Sequence, residues 1–418
     1  MKRLLVGLAF TCVLVGCGSD NGSAEVAPEL STKALLGEKL YSDVNLSLNR
    51  SQSCATCHNP DHGFIDERTN DASLTNKASA GSLGDNGTSI GDRNAPTAAY
   101  ASFSPDFFHG TRARTATQAN VADYEGFLGG QFWDGRERDL AGQAGGPPTN
   151  PDEMGMPDKA SVIDRLQESS EYVAAFEYLY GADIFNDIDS AYLAMAQSIG
   201  EFEKTDEFSP FDSKYDRSLT GEYIYPVLSK ARTGKTLFFS SDFTCASCHQ
   251  LRALGNRQEV FTTFEYHNIG VPENSALRTF NNATEADNGL FKNPAVSDET
   301  QKGKFKVPTL RNVAVSAPYM HNGVFEELET VLHFYEHAKL RSRNLDNGGI
   351  TDDIINPESG QLFAAAEVNE NIEHELLGGN DKNLTPENVE AIVCFLISLT
   401  DERYEHLLDV QKVAQCDL

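Results

Sequence analysis

Apolar positions along this 418-residue chain recur mainly at helical spacing. The clearest run is Thr385 to Leu399, where Val389, Ile392, Val393, Leu396 and Leu399 share one face. Thr385 can cap that helix. Pro386 suits its first position, where a missing amide proton costs no intrahelical bond. Tyr192, Met195, Ile199 and Phe202 place a second helix over 188–204. Val162, Ile163, Leu166, Tyr172, Val173 and Phe176 predict two short amphipathic helices, parted near Ser169 and Ser170. Shorter patterns predict helix early in 30–49, over 228–239 and over 328–339, while strand signals are few. Residues 66–93 are polar and rich in Gly, Ser and Asn, the pattern of a long and often functional loop. The stretch 257–306 reads as irregular. The polar connection 206–222 marks the expected boundary between an N-terminal unit, 31–215, and a C-terminal unit, 216–400, followed by a tail, 401–418.

Composition adds two constraints. Hydrophobic residues make up 40% and charged residues 23%, as in an ordinary globular chain, but 62 Asp+Glu against 34 Lys+Arg give a net charge of −28. Such acidity disfavours nucleic acid as a partner. It favours encounter with a basic redox protein, or serves solubility alone. The first residues read as a targeting segment: Lys2 and Arg3, then a short apolar run from Leu4 to Val15 that is too short for a permanent span. Leu14-Val15-Gly16-Cys17 looks like a bacterial lipobox, so 1–16 is the expected signal peptide and Cys17 the lipidated residue. The alternative is an ordinary secretory signal with an incidental cysteine. Residues 17–30 read as a flexible tether. The expected location is periplasmic, anchored by lipid, with Gly18 after Cys17 favouring the outer membrane.

The chemistry is carried by Cys54-Ala-Thr-Cys-His58 and its second copy, Cys245-Ala-Ser-Cys-His249. This spacing attaches a c-type haem: two cysteine sulfurs bond the porphyrin edge and the adjacent imidazole binds iron. A lone C-x-x-C could be a redox dithiol or half a zinc site. Two copies ending in His are far more specific, and each follows a predicted helix, an approximate internal repeat. Two covalent c-type haems are therefore the expected cofactors, held by Cys54, Cys57 and His58 and by Cys245, Cys248 and His249. The expected fold is mainly α, with two cytochrome-c-like haem domains, long loops and few short strands. Of eight cysteines, Cys12 leaves with the signal, Cys17 takes lipid and four bind haem. Cys394 and Cys416 remain; an oxidising compartment permits a disulfide between them, and two unpaired thiols are the alternative.

Taken together, several segments resemble the bacterial di-haem cytochrome c peroxidases, including the MauG-like members. They are Leu36-Gly37, Leu40-Tyr41, Ser53 to His58, Arg93-Asn-Ala-Pro-Thr97, Phe132-Trp-Asp-Gly-Arg136, Asn150 to Gly155, Cys245 to His249, Val307 to Asn312 and Ala317 to Gly323. The resemblance spans roughly residues 33 to 400. It implies that His58 is the proximal ligand of a peroxidatic haem and His249 that of an electron-transfer haem. It makes Glu153 the distal acid/base, Gln143 a second polar distal residue, and Trp133 the indole between the haems. One carboxyl group in a dry pocket can take the proton from the oxygen that binds iron and return it to the leaving hydroxide. The resemblance also implies a calcium ion held by Asn94 and the carbonyls of Ser316 and Pro318, a hard-cation site of oxygen donors.

Two departures within the family set the subtype. Many members carry Met fourteen residues after the His of Pro-Tyr-x-His; here that His is His321 and the matching residue is Tyr335. MauG-like members carry Tyr, which makes Tyr335 the expected sixth ligand of the second haem, with Met320, His333 and His337 as rivals. The loop 66–93 contains no His to block the first iron, so that iron is expected to be five-coordinate at rest. The leading reading is reduction of hydrogen peroxide to water, with electrons from a small cytochrome c or cupredoxin. A MauG-like oxidase acting on Trp or Tyr of a partner protein is the second, and a non-catalytic electron carrier or sensor the third. The oligomeric state is not specified; a dimer is compatible.

Overall fold

Each Cys-x-x-Cys-His motif follows a helix that crosses another helix at a glycine. In the computed structural model, helix Lys33–Tyr41 crosses Ile188–Phe202, and Lys230–Phe238 crosses Pro386–Ile397. A Cβ on Gly37 would overlap the Ser198 carbonyl, and one on Gly234 the Ala391 carbonyl. Only glycine allows backbones this close. Residues 27–70, 80–118, 121–344, 354–378 and 383–418 are described. The signal segment 1–16, Cys17 and the tether up to residue 26 lie outside them.

Helix starts are set by local capping. Thr32 accepts from the Leu35 amide (3.2 Å) and Thr385 from the Asn388 amide (3.3 Å). The paired helices Lys159–Gln167 and Ser170–Tyr180 break at Ser169, whose side chain caps the second by accepting from Tyr172. Around the first motif the core gathers Leu36, Leu40, Tyr41, Met195, Ile199 and Phe202, with Phe64 stacked on Phe208 at 4.0 Å. Around the second it gathers Tyr215, Phe238, Phe261, Ile392, Phe395 and Leu399.

The repeat continues past each motif. Phe64 and Phe261 both adopt left-handed backbone, with φ of 55° and 53°. Thr97 donates to the Gly63 carbonyl and Thr309 to the Val260 carbonyl, both at 2.7 Å. The two Pro-Thr segments, 96–97 and 308–309, are thus equivalent struts beneath the two histidines.

The fold is mainly α, as expected, with three two-stranded antiparallel sheets among the described residues. Some elements depart from expectation. A hairpin, Phe108–Arg112 with Tyr124–Leu128, rises from the N-terminal half. Its strands carry a glycine each and mixed polarity, so no clean alternation announces them. The connection between its strands reaches the second haem motif: Arg114 donates to the Ser247 carbonyl (3.0 Å), and Gln118 to the Gln250 carbonyl (3.0 Å). The polar connection 206–222 contains a helix, Lys214–Thr220, which spans the expected 215/216 boundary and buries Tyr215 and Asp216. The stretch 257–306 contains the short helix Ser275–Phe280. The C-terminal segment is a working part of the fold. Tyr404 joins the first core and donates to the Pro60 carbonyl (2.8 Å), and Cys416 is disulfide-bonded to Cys394. No helix among the described residues is long and apolar enough to cross a membrane.

Arg311 ties the two cores together. Its side chain is fully buried, and all five of its N–H groups are used. They donate to Asp216, to Ser213 (3.3 Å) and, through Nε and Nη2, to the Glu259 carbonyl (2.9 and 2.6 Å). Tyr100, Phe211, Tyr215 and Phe261 surround the guanidinium at 4.9–5.9 Å. Removing one partner of a buried ion pair strands the other. Arg311→Met should therefore cost about 3–5 kcal/mol of stability and lower the thermal midpoint, and Arg311→Met with Asp216→Leu should recover part of the loss. An unchanged midpoint in the single variant would show that the pair carries no net stability.

Candidate functional site

Both histidines are oriented from behind. The Nδ1–H of His58 donates to the Phe64 carbonyl (3.3 Å) and that of His249 to the Phe261 carbonyl (3.0 Å). A carbonyl only accepts, so the proton sits on Nδ1 and Nε2 is left as an electron-pair donor. The left-handed turns at Phe64 and Phe261 aim those carbonyls. Burial lowers both imidazoles, His249 to about 4, so each ring is a neutral ligand near pH 7. The four motif cysteines are free. Burial pushes the Cys54, Cys57 and Cys245 thiols up to about 12. Thiols held that high are poor dithiol redox centres and poor zinc thiolates. The donor set therefore fits thioether-bonded haem.

Beside His249 lies a cavity of about 340 Å³, lined by Cys245, Cys248, His249, Phe264, Leu332, Leu396, Met320 and Tyr335. It is mostly apolar, as a porphyrin requires. The helix Leu328–Asn344 turns Leu332, Tyr335, Glu336 and Lys339 toward it at helical spacing. Tyr335 is half-buried and lines the cavity near Cys248. Burial raises its phenol well above the ordinary value. His333 is off this face, and His337 packs on Phe363 at 5.1 Å. Of the rivals for the iron, only Met320 shares the cavity with Tyr335.

Glu153 is carried by one helix-and-turn unit, Leu140 to Gly155. Asp139 caps Leu140–Ala144, which carries Gln143, by accepting from the Gly142 amide (3.0 Å). Pro147–Thr149 then leads into a tight turn in which Asn150 accepts from the amides of Glu153 (3.1 Å) and Gly155 (2.9 Å). Gly155 is left-handed at φ 70°. The turn delivers the Glu153 carboxyl into buried space close enough for its charge to be felt at Cys54 and Cys57. Burial raises that carboxyl above its ordinary value; Arg136 and Asn150 pull it partly back.

Trp133 joins the Asn94 segment to Lys306. Its Nε1–H donates to the Asn94 carbonyl (2.8 Å), its own carbonyl accepts from Lys306, and it lines the second cavity. The Phe132–Arg136 frame holds it. Buried Asp134 accepts from Arg93 (2.8 Å) and Arg136 (3.0 Å), while Arg136 stacks on Phe132 at 3.7 Å. The three residues expected to hold calcium converge here. The Asn94 amide nitrogen is 2.7 Å from the Pro318 carbonyl oxygen, and Ser316 lies two residues upstream. Turning the Asn94 amide over would set two neutral oxygens side by side, the donor chemistry of a hard cation.

Three further groups stand out that the sequence did not single out. Glu203, at the end of Ile188–Phe202, is buried beside Tyr41 and Cys54, and burial pushes its carboxyl up to about 8. Lys306 donates to the Gly130 carbonyl and faces the second cavity; burial brings its ammonium down to about 7. Arg136 reaches Glu153 by charge. In sequence Glu203 and Lys306 read as ordinary surface charges, and Arg136 only as the end of the Phe132–Arg136 segment; packing alone links it to Glu153.

Comparison with known proteins agrees with this geometry. Residues 31–223 match the family described as di-haem cytochrome c peroxidase. The methylamine utilization protein MauG of Paracoccus denitrificans is 43% identical over 401 residues, covering 95% of this chain and 96% of that protein. The cytochrome c551 peroxidase of Nitrosomonas europaea is 30% identical over 316 residues, covering 75% and 76%. Among solved structures, the diheme peroxidase BthA from Burkholderia thailandensis has a TM-score of 0.71 at 28% identity, covering 91% of this chain and 88% of that one.

Proposed function

This chain belongs to the MauG-like di-haem cytochrome c peroxidase family, and on that premise we propose that it reduces hydrogen peroxide at the first haem site, drawing electrons from a protein partner through the second. It is an oxidoreductase with two c-type haems. The observation that carries the reading is Glu153, a half-buried carboxyl on a hydrogen-bonded turn, near enough for its charge to be felt at Cys54 and Cys57.

When bound, the haems supply iron that accepts the oxidising equivalents of peroxide and relays electrons. The protein's part is proton management and spacing. As a carboxylate, Glu153 takes a proton from one peroxide oxygen and returns it to the other, so that hydroxide leaves as water. Two electrons and two protons complete the reduction to two waters. A dry pocket keeps that proton local and strengthens the transfer. The indole of Trp133, fixed by its bond to Asn94, shortens the electron path between the sites. The charge of −28 favours a basic donor such as a small cytochrome c or cupredoxin.

Tyr335 favours a second reading within the same chemistry: the donor is a Trp or Tyr side chain of a partner protein. Were Tyr335 to bind the second iron as a phenolate, it would lower that iron's reduction potential, which suits storing oxidising power over accepting easy electrons. Calcium at the Asn94, Ser316 and Pro318 oxygens would hold Trp133 and both sites in register.

Glu153→Gln should keep both haems and lose about 10²–10⁴ of the rate with peroxide. In the parent protein that rate should fall with decreasing pH, as the carboxyl takes up a proton and can no longer act as base. Because burial raises the carboxyl, the fall should lie above the ordinary carboxylate range, and the variant should lack it. Full rate in the variant would remove Glu153 from the mechanism. In the same assay, fast turnover with reduced cytochrome c supports the donor reading; slow turnover with a long-lived oxidised spectrum supports the protein-modifying one. Tyr335→Phe should turn the second haem high-spin and leave the first unchanged; an unaltered spectrum would pass the ligand role to Met320. Elemental analysis should find one calcium per chain, lost in Asn94→Ala, and a calcium-free active protein would refute that site.

A further inference from the structure

A small loop before Asp92 is laced into the turn that bears Glu153. Residues 82–91 close on themselves through a bridge between Leu83 and Ile90, and Gly84 donates to the Ser89 carbonyl (2.9 Å). Asn86 accepts from the amides of Thr88 and Ser89, both at 2.8 Å. Buried Asp85 sits at the tip of this small loop. Its carboxylate accepts from the Asn49 amide (2.7 Å) and the Ser51 hydroxyl (2.6 Å), and its amide donates to the carbonyl of Glu153 (2.7 Å). Two flanking bonds run the same way. Gln52 donates to the Leu83 carbonyl (2.6 Å), and the Leu48 amide to the Met154 carbonyl (2.9 Å). Gly84 lies flat on the Asp152 peptide, where an added Cβ would be 2.6 Å from the carbonyl oxygen.

We infer that Asp85 is a positioning residue: it ties the distal turn bearing Glu153 to the chain entering the first haem motif, and so sets the spacing of the distal carboxyl across the haem. This rests on the proposed role of Glu153. The physical argument is one of connectivity. Ser51 lies three residues before Cys54, and Ser53 is locked to Thr56 by a capping box. The strand of chain that Asp85 grips is therefore continuous with the haem attachment point. Its other hand holds the peptide of Glu153. A single residue thereby links the proximal anchor, through its carboxylate, to the distal acid/base, through its backbone amide, with no long lever between them. Its hydrogen bonds also keep the Asp85 carboxyl below the ordinary carboxylate range, although burial alone would raise it. The clamp stays ionised while Glu153 titrates. Catalytic spacing tolerates little slack, and a misplacement near 1 Å can cost about 10²-fold in rate.

The test uses the full haem-loaded chain with Asp85→Ala, Asp85→Asn and Gly84→Ala. Asp85→Ala should keep both haems and the potential of the second, yet react with peroxide about 10- to 100-fold more slowly. Its acid limb should move toward the ordinary carboxylate range as Glu153 gains solvent. Asp85→Asn, which keeps an acceptor of the same shape, should recover most of the rate. Gly84→Ala should reproduce the shift in the limb without touching the carboxylate. Parent rate and parent limb in Asp85→Ala would overturn the inference. If Asp85→Ala fails to load haem, a parent-like limb in both Gly84→Ala and Asp85→Asn would overturn it equally. An inactive Glu153→Gln alongside a parent-like Asp85→Ala would sink only the positioning role; a fully active Glu153→Gln would sink the reading beneath it.

Discussion

Everything near the second histidine hangs on one buried cation. Arg311 brings a positive charge into a box of four aromatic rings, and each of its N–H groups finds an acceptor. Burying a guanidinium is tolerable only under those terms. The acceptors come from distant parts of the chain: Asp216 on the Lys214–Thr220 helix and the carbonyl of Glu259. The Glu259 carboxylate in turn caps the amides of Leu251, Arg252 and Phe261. That arrangement fixes the Phe261 carbonyl, which orients His249. From the next residue, Asn312 meets Asp401, and Asp401 accepts from Tyr100 of the first half (2.7 Å). One charge thus registers both halves and His249.

A duplicated architecture carries two unequal sites. Up to the histidines the halves match: crossing helices at a glycine, a left-handed Phe, and a Pro-Thr strut. They diverge on the opposite face of each haem position. The second faces a long helix that turns Tyr335 inward. The first faces a tight turn that turns Glu153 inward, behind a small loop. The difference between the two sites lies in what is packed against each repeat, not in the repeat itself.

Much of this was legible in the chain. The two Cys-x-x-Cys-His motifs, the helix starting at Thr385 and the pair parted at Ser169 follow from spacing and capping, which are local. Glu153, Gln143, Trp133 and Tyr335 could be named only by resemblance, because single residues on turns and helices carry no periodic signal. The hairpin at 108–128 and the helix at 214–220 were missed. Their short, mixed sequences are stabilised by what they touch, namely the second haem motif and the second core.

The amino-acid sequence alone determined that two haems are covalently attached, that the fold is mainly helical and that the halves are related, since bonded chemistry and periodic burial are written residue by residue. It left open whether Cys394 and Cys416 pair; the short helix Val410–Gln415 brings them together. Tertiary structure alone decided that Tyr335 and Met320 share the second cavity while His333 and His337 do not. It likewise decided that Asn94, Trp133 and Pro318 form one node, and that Asp85 grips the turn of Glu153. The reason is common to all of these. Each depends on the distance between segments far apart in the chain, and such distances are set only when the apolar faces close on one another.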